Sequence, residues 1–153
     1  MQEIFAHVDI AAPPSVVWDV LVDFGTYRRW NPLIRSVLGH AVSGRQLQIT
    51  VAAPPGADVT SRLTIVHLRQ GCEMTWLEWW SVPGVFLSER RFRIEPLPQG
   101  GVRFHHGEKV RGVMVPLLDG RRRTRQRAGF DAMNAALKLR AERACARQAA
   151  ATH

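Results

Sequence analysis

Cysteine is nearly absent: Cys72 and Cys145 are the only two in 153 residues. They sit in unrelated contexts and match no metal-ligand spacing, so the natural reading is a pair of reduced thiols in a cytoplasmic protein. Long apolar runs are missing too. Nothing approaches eighteen uninterrupted apolar residues, so no membrane-spanning segment is expected. The start, MQEIFAHVDI, carries early acidic residues and no apolar run, and does not read as a signal peptide. No HExxH or CxxC spacing occurs, so no metal is expected. There is no GxSxG elbow and no visible Ser-His-Asp ordering. A phosphate loop is absent, as is a dinucleotide fingerprint, which needs a βαβ unit; no cofactor is expected. Acidic residues are comparatively scarce, 13 against 21 basic, for a formal net charge of +8.

What is present suffices for one globular domain with its own core, since 46% of the chain is hydrophobic. The domain is expected over 1–148, with 149–153 as a loose tail. One long helical pattern stands out, Val113 to Arg147. Pro116 suits its first turn, where a missing N–H costs nothing. Leu118, Arg122, Gln126, Phe130, Met133, Leu137 and Ala141 recur at three- and four-residue steps and share one face. From Leu118 to Ala141 that face runs roughly 35 Å, enough to lie across a sheet. The stripe is apolar distally and polar near its start, at Arg122 and Gln126, as in a cover over a space. From Glu142 onward the helix is expected to overhang.

The excess charge is concentrated on this helix. Between Arg121 and Arg147 nine basic residues face only Asp131 and Glu142. Helical spacing turns Arg121 and Arg125 away from the stripe and sets Arg123 and Arg127 on its flank. No aromatic residues alternate with the arginines to stack bases, and no helix-turn-helix precedes them. A basic stripe invites a nucleic-acid or anionic-membrane reading. From these absences the run reads first as a solvated helix face, with no nucleic acid as partner and an anion-surface binder as the weaker alternative.

Ahead of the helix the pattern is mostly period two. Residues 3–10 form a first strand with Ile4, Ala6, Val8 and Ile10 on one face. Pro13-Pro14 ends it, and the following segment reads as a short helix burying Val17, Trp18 and Leu21. One more helical turn fits Thr26 to Trp30, before Asn31-Pro32. Strands are then expected at 33–41, 45–52, 58–68, 73–80, 88–96 and 101–111, separated by Gly- and Pro-containing turns. With no helix between them they must form an antiparallel meander. Strands in one block and a long helix after them make an α+β fold.

Strand parity names the inward side chains. On 101–111 these are Val102, Phe104, His106, Glu108 and Val110, with His105 outward. On 88–96 they are Arg90, Phe92 and Ile94; on 73–80, Met74, Trp76, Glu78 and Trp80. His106 and Glu108, two apart on one wall, are the candidates for acid–base work, against a purely orienting role for two hydrogen-bonded groups. The expected cavity is bounded by Trp76, Phe92, Phe104, Phe130, Met133 and Leu137, with Trp30 and Asn31 near one entrance. Arg122 marks its polar end, either receiving an anionic ligand group or reaching past the wall to water. Hairpin counting sets Arg90 opposite both Glu78 and Glu108, so that one guanidinium would bridge two carboxylates.

Several segments together resemble the START-like superfamily, in its polyketide cyclase/dehydrase and lipid-transfer branch. They are AAPPSVVWDVLVDF from Ala11, Trp30-Asn-Pro-Leu-Ile, Phe104-His-His-Gly-Glu, Val115-Pro-Leu-Leu and GFDAMNAALK from Gly129. The resemblance covers nearly the whole chain. It implies a helix-grip fold of about seven strands, as in birch-pollen-allergen-like proteins, curved around the C-terminal helix and a hydrophobic ligand cavity. It implies a small hydrophobic, aromatic or lipid-like ligand, carried or sensed, or else a cyclase or dehydratase reaction. It transfers no catalytic motif, and oligomeric state stays open.

Overall fold

The computed structural model describes residues 1–117 and 120–152. Strand β1 (Gln2–Ile10) leads into helix α1 (Pro14–Val22), a 3-10 turn (Phe24–Thr26) and the short helix α2 (Tyr27–Trp30). Six strands follow: β2 (Ile34–Leu38), β3 (Gln46–Val51), β4 (Val59–Arg69), β5 (Glu73–Trp79), β6 (Leu87–Pro96) and β7 (Val102–Arg111). A 3-10 turn (Val115–Leu117) precedes the long helix α3 (Gly120–Ala151). The seven strands form one antiparallel sheet in the order β1-β7-β6-β5-β4-β3-β2. This is the helix-grip architecture.

Alternation decides which face meets the helix. Along β7, Val102, Phe104, His106, Glu108 and Val110 are buried, while Arg103, His105 and Lys109 lie on the outer face. That outer face is stitched by surface charge, Arg103 gripping Asp9 through two hydrogen bonds of 2.8 and 3.1 Å. The sheet curls with the help of two register irregularities, at Ile34/Ser36 and Ile65/His67. Helix α3 lies mainly against β1 and α1. Its residues Phe130, Met133, Leu137 and Ala141 are wholly buried, each of the larger three contributing about 1.5–3 kcal/mol of burial. Gly129 lets the helix approach closely: a Cβ there would sit 2.8 Å from the Leu33 side chain.

Helix α3 begins later than its pattern suggests. Val113 N–H donates to Gly84 O and Met114 N–H to Val85 O, so this backbone is bound to the β5–β6 loop rather than to a helical turn. Pro116 sits in the 3-10 turn instead, and Leu118, expected to open the stripe, lies outside the described residues. At the other end the alanine-rich sequence carries the helix to Ala151, with 149–152 exposed. Glu142 is not an overhang. Ala11 N–H donates to its Oε1 at 2.9 Å and Lys138 Nζ at 2.6 Å, pinning α3 to the end of β1. Ala144 and Cys145 also pack against the core.

Candidate functional site

The buried polar groups gather where β5, β6 and β7 face the first half of α3. Arg90 pairs with Glu108 across β6–β7, as hairpin counting expects. Its Nη2 donates to Glu108 Oε1 at 3.2 Å. Ser88 Oγ donates to the same oxygen at 2.7 Å, and Gln126 Nε2 donates to Oε2. Three donors from one strand and the helix thus hold one carboxylate that burial alone would penalise heavily. Ser88 is within reach of strand parity, lying two residues before Arg90, but a serine announces no charge partner.

His106 is fully buried between the sheet and α3, its ring stacked on Phe130 with centroids 3.8 Å apart. Its Nδ1 donates to Asn134 Oδ1 at 3.3 Å, leaving Nε2 as a lone-pair acceptor. Desolvation, and then the Arg90 charge, push the imidazole pKa well below its ordinary value, so the ring is neutral. The apolar stripe read from sequence passes over Asn134, although this residue lies one helical turn from Phe130. Arg90 also lies over the Phe130 ring, Cζ to centroid 5.4 Å.

The second expected carboxylate takes a different place. The β5–β6 hairpin closes with Trp80 N–H donating to Phe86 O, and pairs Trp79 with Leu87. Glu78 therefore faces Ser88, and Arg90 faces Trp76, a two-residue slip from the expected register. A slip of two keeps every side chain on its face, so the parity stands while the partner changes. Glu78 accepts a hydrogen bond from Ser61 on β4 and feels Arg90, Glu108 and Arg122 through space. Half-buried, its carboxyl pKa is raised, chiefly by desolvation. Trp80 lies beyond the end of β5, exposed and stacked on Phe86 with centroids 5.1 Å apart, and is not an inward residue. Arg122 is exposed within electrostatic reach of Glu78, the geometry of a head that reaches water.

Asn31 is a turn-former: its Oδ1 accepts from the Leu33 and Ile34 amides at 3.0 and 2.8 Å. Trp30 is half-buried against Tyr27, and its Nε1 donates to Thr26 Oγ1 at 3.3 Å. Trp76, Phe92, Phe104, Phe130, Met133 and Leu137 converge beneath α3, each at most 1% exposed. The aromatic ones touch, Trp76 edge-on to Phe92 at 4.9 Å and Phe92 stacked on Phe104 at 6.2 Å. An open groove lies at the rim instead. It has a volume of about 520 Å³ and is lined by Ser61, Arg62, Glu78, Trp79, Trp80 and Val82, and its Glu78 feels the charges of the buried Arg90 and Glu108. Four atoms facing that cluster and its bed have no hydrogen-bond partner among the described residues although buried: Trp76 Nε1, Arg90 Nη1, His106 Nε2 and Asn134 Nδ2. Among the described residues no three His, Cys, Asp or Glu side chains converge as metal ligands. None of their helices is long and apolar enough to cross a membrane.

Residues 1–142 match the family model described as polyketide cyclase / dehydrase and lipid transport. Solved structures with the same fold include TTHA0849 from Thermus thermophilus, at TM-score 0.73 and 17% identity over 94% of this chain and 99% of that one. A START superfamily protein from Mycobacterium smegmatis matches at TM-score 0.68 and 21% identity, covering 92% and 97% of the two chains. CV1439 from Chromobacterium violaceum matches at TM-score 0.69 and 18% identity, covering 92% and 96%. At such identities these likenesses speak for the fold alone. No curated protein matches by sequence.

Proposed function

The chain belongs to the polyketide cyclase / dehydrase and lipid transport family, and from that premise we propose that it binds a small, largely apolar ligand between its sheet and the first half of α3. The observation that carries this reading is the set of buried polar atoms around the Arg90–Glu108 pair that have no partner among the described residues. Buried polar groups are nearly always satisfied, and each one left alone costs about 1–3 kcal/mol. Trp76, Arg90 and Asn134 offer donors, while neutral His106 offers an acceptor at Nε2. A ligand with a carbonyl or hydroxyl on an apolar frame answers that pattern. The groove beside Glu78 has the volume of a small-molecule site. It supplies the entrance, and Trp76, Phe92, Phe104, Phe130, Met133 and Leu137 supply the apolar bed. Arg122 and Gln126 edge the site from the helix, with Trp30 and Asn31 on the far side.

A second reading, a cyclase or dehydratase working through His106 and Glu108, draws its support from the unpartnered Nε2 lone pair. Glu108, holding three donors, suits orientation better than proton transfer. The test is fluorescence titration with 1-anilinonaphthalene-8-sulfonate, then displacement by matched aryl ketones and aryl hydrocarbons. The expected result is stronger displacement by the ketones, a preference lost in Arg90→Gln. Equal displacement by both series, in the native protein, would remove the polar cluster from recognition. A ketone recovered unchanged supports binding; one recovered transformed supports the enzyme.

A further inference from the structure

One end of the molecule exposes what a folded domain ordinarily covers. Trp79, Trp80 and Val82 at the β5–β6 turn, and Val113 and Leu117 before α3, are 47–72% exposed. The two segments are joined: Val113 N–H donates to Gly84 O at 3.0 Å and Met114 N–H to Val85 O at 3.3 Å. Gly112, at φ +125°, permits the join, since a Cβ there would collide with the Val85 carbonyl. The result is an apolar wedge on two braced loops. Beside it α3 starts, with five arginines between Arg121 and Arg127, all exposed. The Val115–Leu117 turn just before Gly120, and the Gln126–Glu108 bond to β7, fix that helical turn at the same end of the sheet as the wedge.

We propose that this end is a docking face for an anionic lipid surface, with the wedge entering the interface and the arginines facing the headgroups. Tryptophan gains most where an apolar ring meets water at a polar tip. Each arginine near an anionic bilayer adds roughly fivefold in affinity, and apolar insertion with a basic flank is the usual mode of peripheral binding. A protein partner would need a pocket cut to two separate loop tips, whereas a bilayer yields to them. The arginine run, solvated when read from sequence alone, thus acquires a partner of opposite charge. This face shares Trp79, Trp80 and Val82 with the rim of the ligand groove, and the two readings are told apart by their tests, since the ligand titration uses no vesicles.

The experiment is co-sedimentation of the full chain with phosphatidylcholine vesicles made with and without phosphatidylglycerol, across a salt series. Binding is expected only with phosphatidylglycerol and should weaken steeply with salt. Arg121→Gln with Arg125→Gln should weaken it about 25-fold, from two fivefold steps. Trp79→Ala with Trp80→Ala should weaken it about tenfold. Val113→Asp, at a solvent-facing position, should do the same without disturbing the core. No association with the anionic vesicles would overturn the proposal. So would association unchanged by the Trp and Val113 variants, since that describes a bare cationic surface. Retention on duplex nucleic acid with no vesicle binding would assign the arginines elsewhere and overturn it too.

Discussion

From Phe130 to Ala141, helix α3 buries one apolar side chain every three or four residues at 0% exposure, and its contacts are those of a core. From Gly120 to Arg127 the same helix carries five arginines, and Gln126 is its one half-buried residue. The distal half holds the sheet in its curve. The proximal half reaches the sheet through polar side chains, Gln126 donating to Glu108 and Arg123 to the Glu3 carbonyl. One continuous helix therefore serves as core along part of its length and as a polar lid along the rest. The buried polar groups gather where the helix stops being apolar.

Changing what the lid covers should strain this division most. Arg90→Met leaves Glu108 buried beside Ser88 and Gln126 without its cation, and should destabilise by about 3–5 kcal/mol in urea unfolding. Leu137→Ala in the distal half should cost about 2–5 kcal/mol, whereas Arg125→Ala on the proximal half should stay within about 0.5 kcal/mol. If the two helix variants cost the same, the division of α3 is wrong.

Acid should expose the buried histidine. With its pKa held below the ordinary 6.5 by burial, His106 stays neutral in the folded state while the unfolded chain takes up a proton. Stability should therefore fall as pH drops below about 6.5, by about 1.4 kcal/mol per pH unit from this group, until the folded-state pKa is reached. Comparing unfolding midpoints of the native protein and His106→Gln across that window checks the slope, which the variant should lack. The smallest effect belongs to the end of the helix. Removing the residues after Arg147 should change stability by less than about 0.5 kcal/mol, because 149–152 are exposed and the last anchors are Glu142 and Cys145. A large fall in melting temperature would show the tail docked.

The fold is legible in the sequence because alternation and turn residues act locally. The six strands after α2, the inward set Phe104, His106 and Glu108, and the Arg90–Glu108 pairing all follow from period two and one tight turn. The longer β5–β6 loop hides its closing pair, so the partner of Glu78 escapes counting while its face does not. Ser61 and Asn134 escape for another reason: a short polar side chain has no pattern until a distant element brings its partner. The start of α3 is lost to a long-range backbone pairing, Val113 with Gly84, that no local propensity encodes. Whether the rim groove or the packed bed is the open space depends on side-chain fit, which periodicity does not report.

If the polar cluster beneath the first half of α3 holds a small organic molecule, the protein purified from its own host should carry one. Native mass spectrometry tests this directly, with apo protein re-exposed to an organic extract of the same cells as the second arm. The expected result is a non-covalent adduct of defined mass on the native chain, reduced in Arg90→Gln under the same conditions. A native chain that carries no adduct, and acquires none from the extract, would contradict the ligand-binding role.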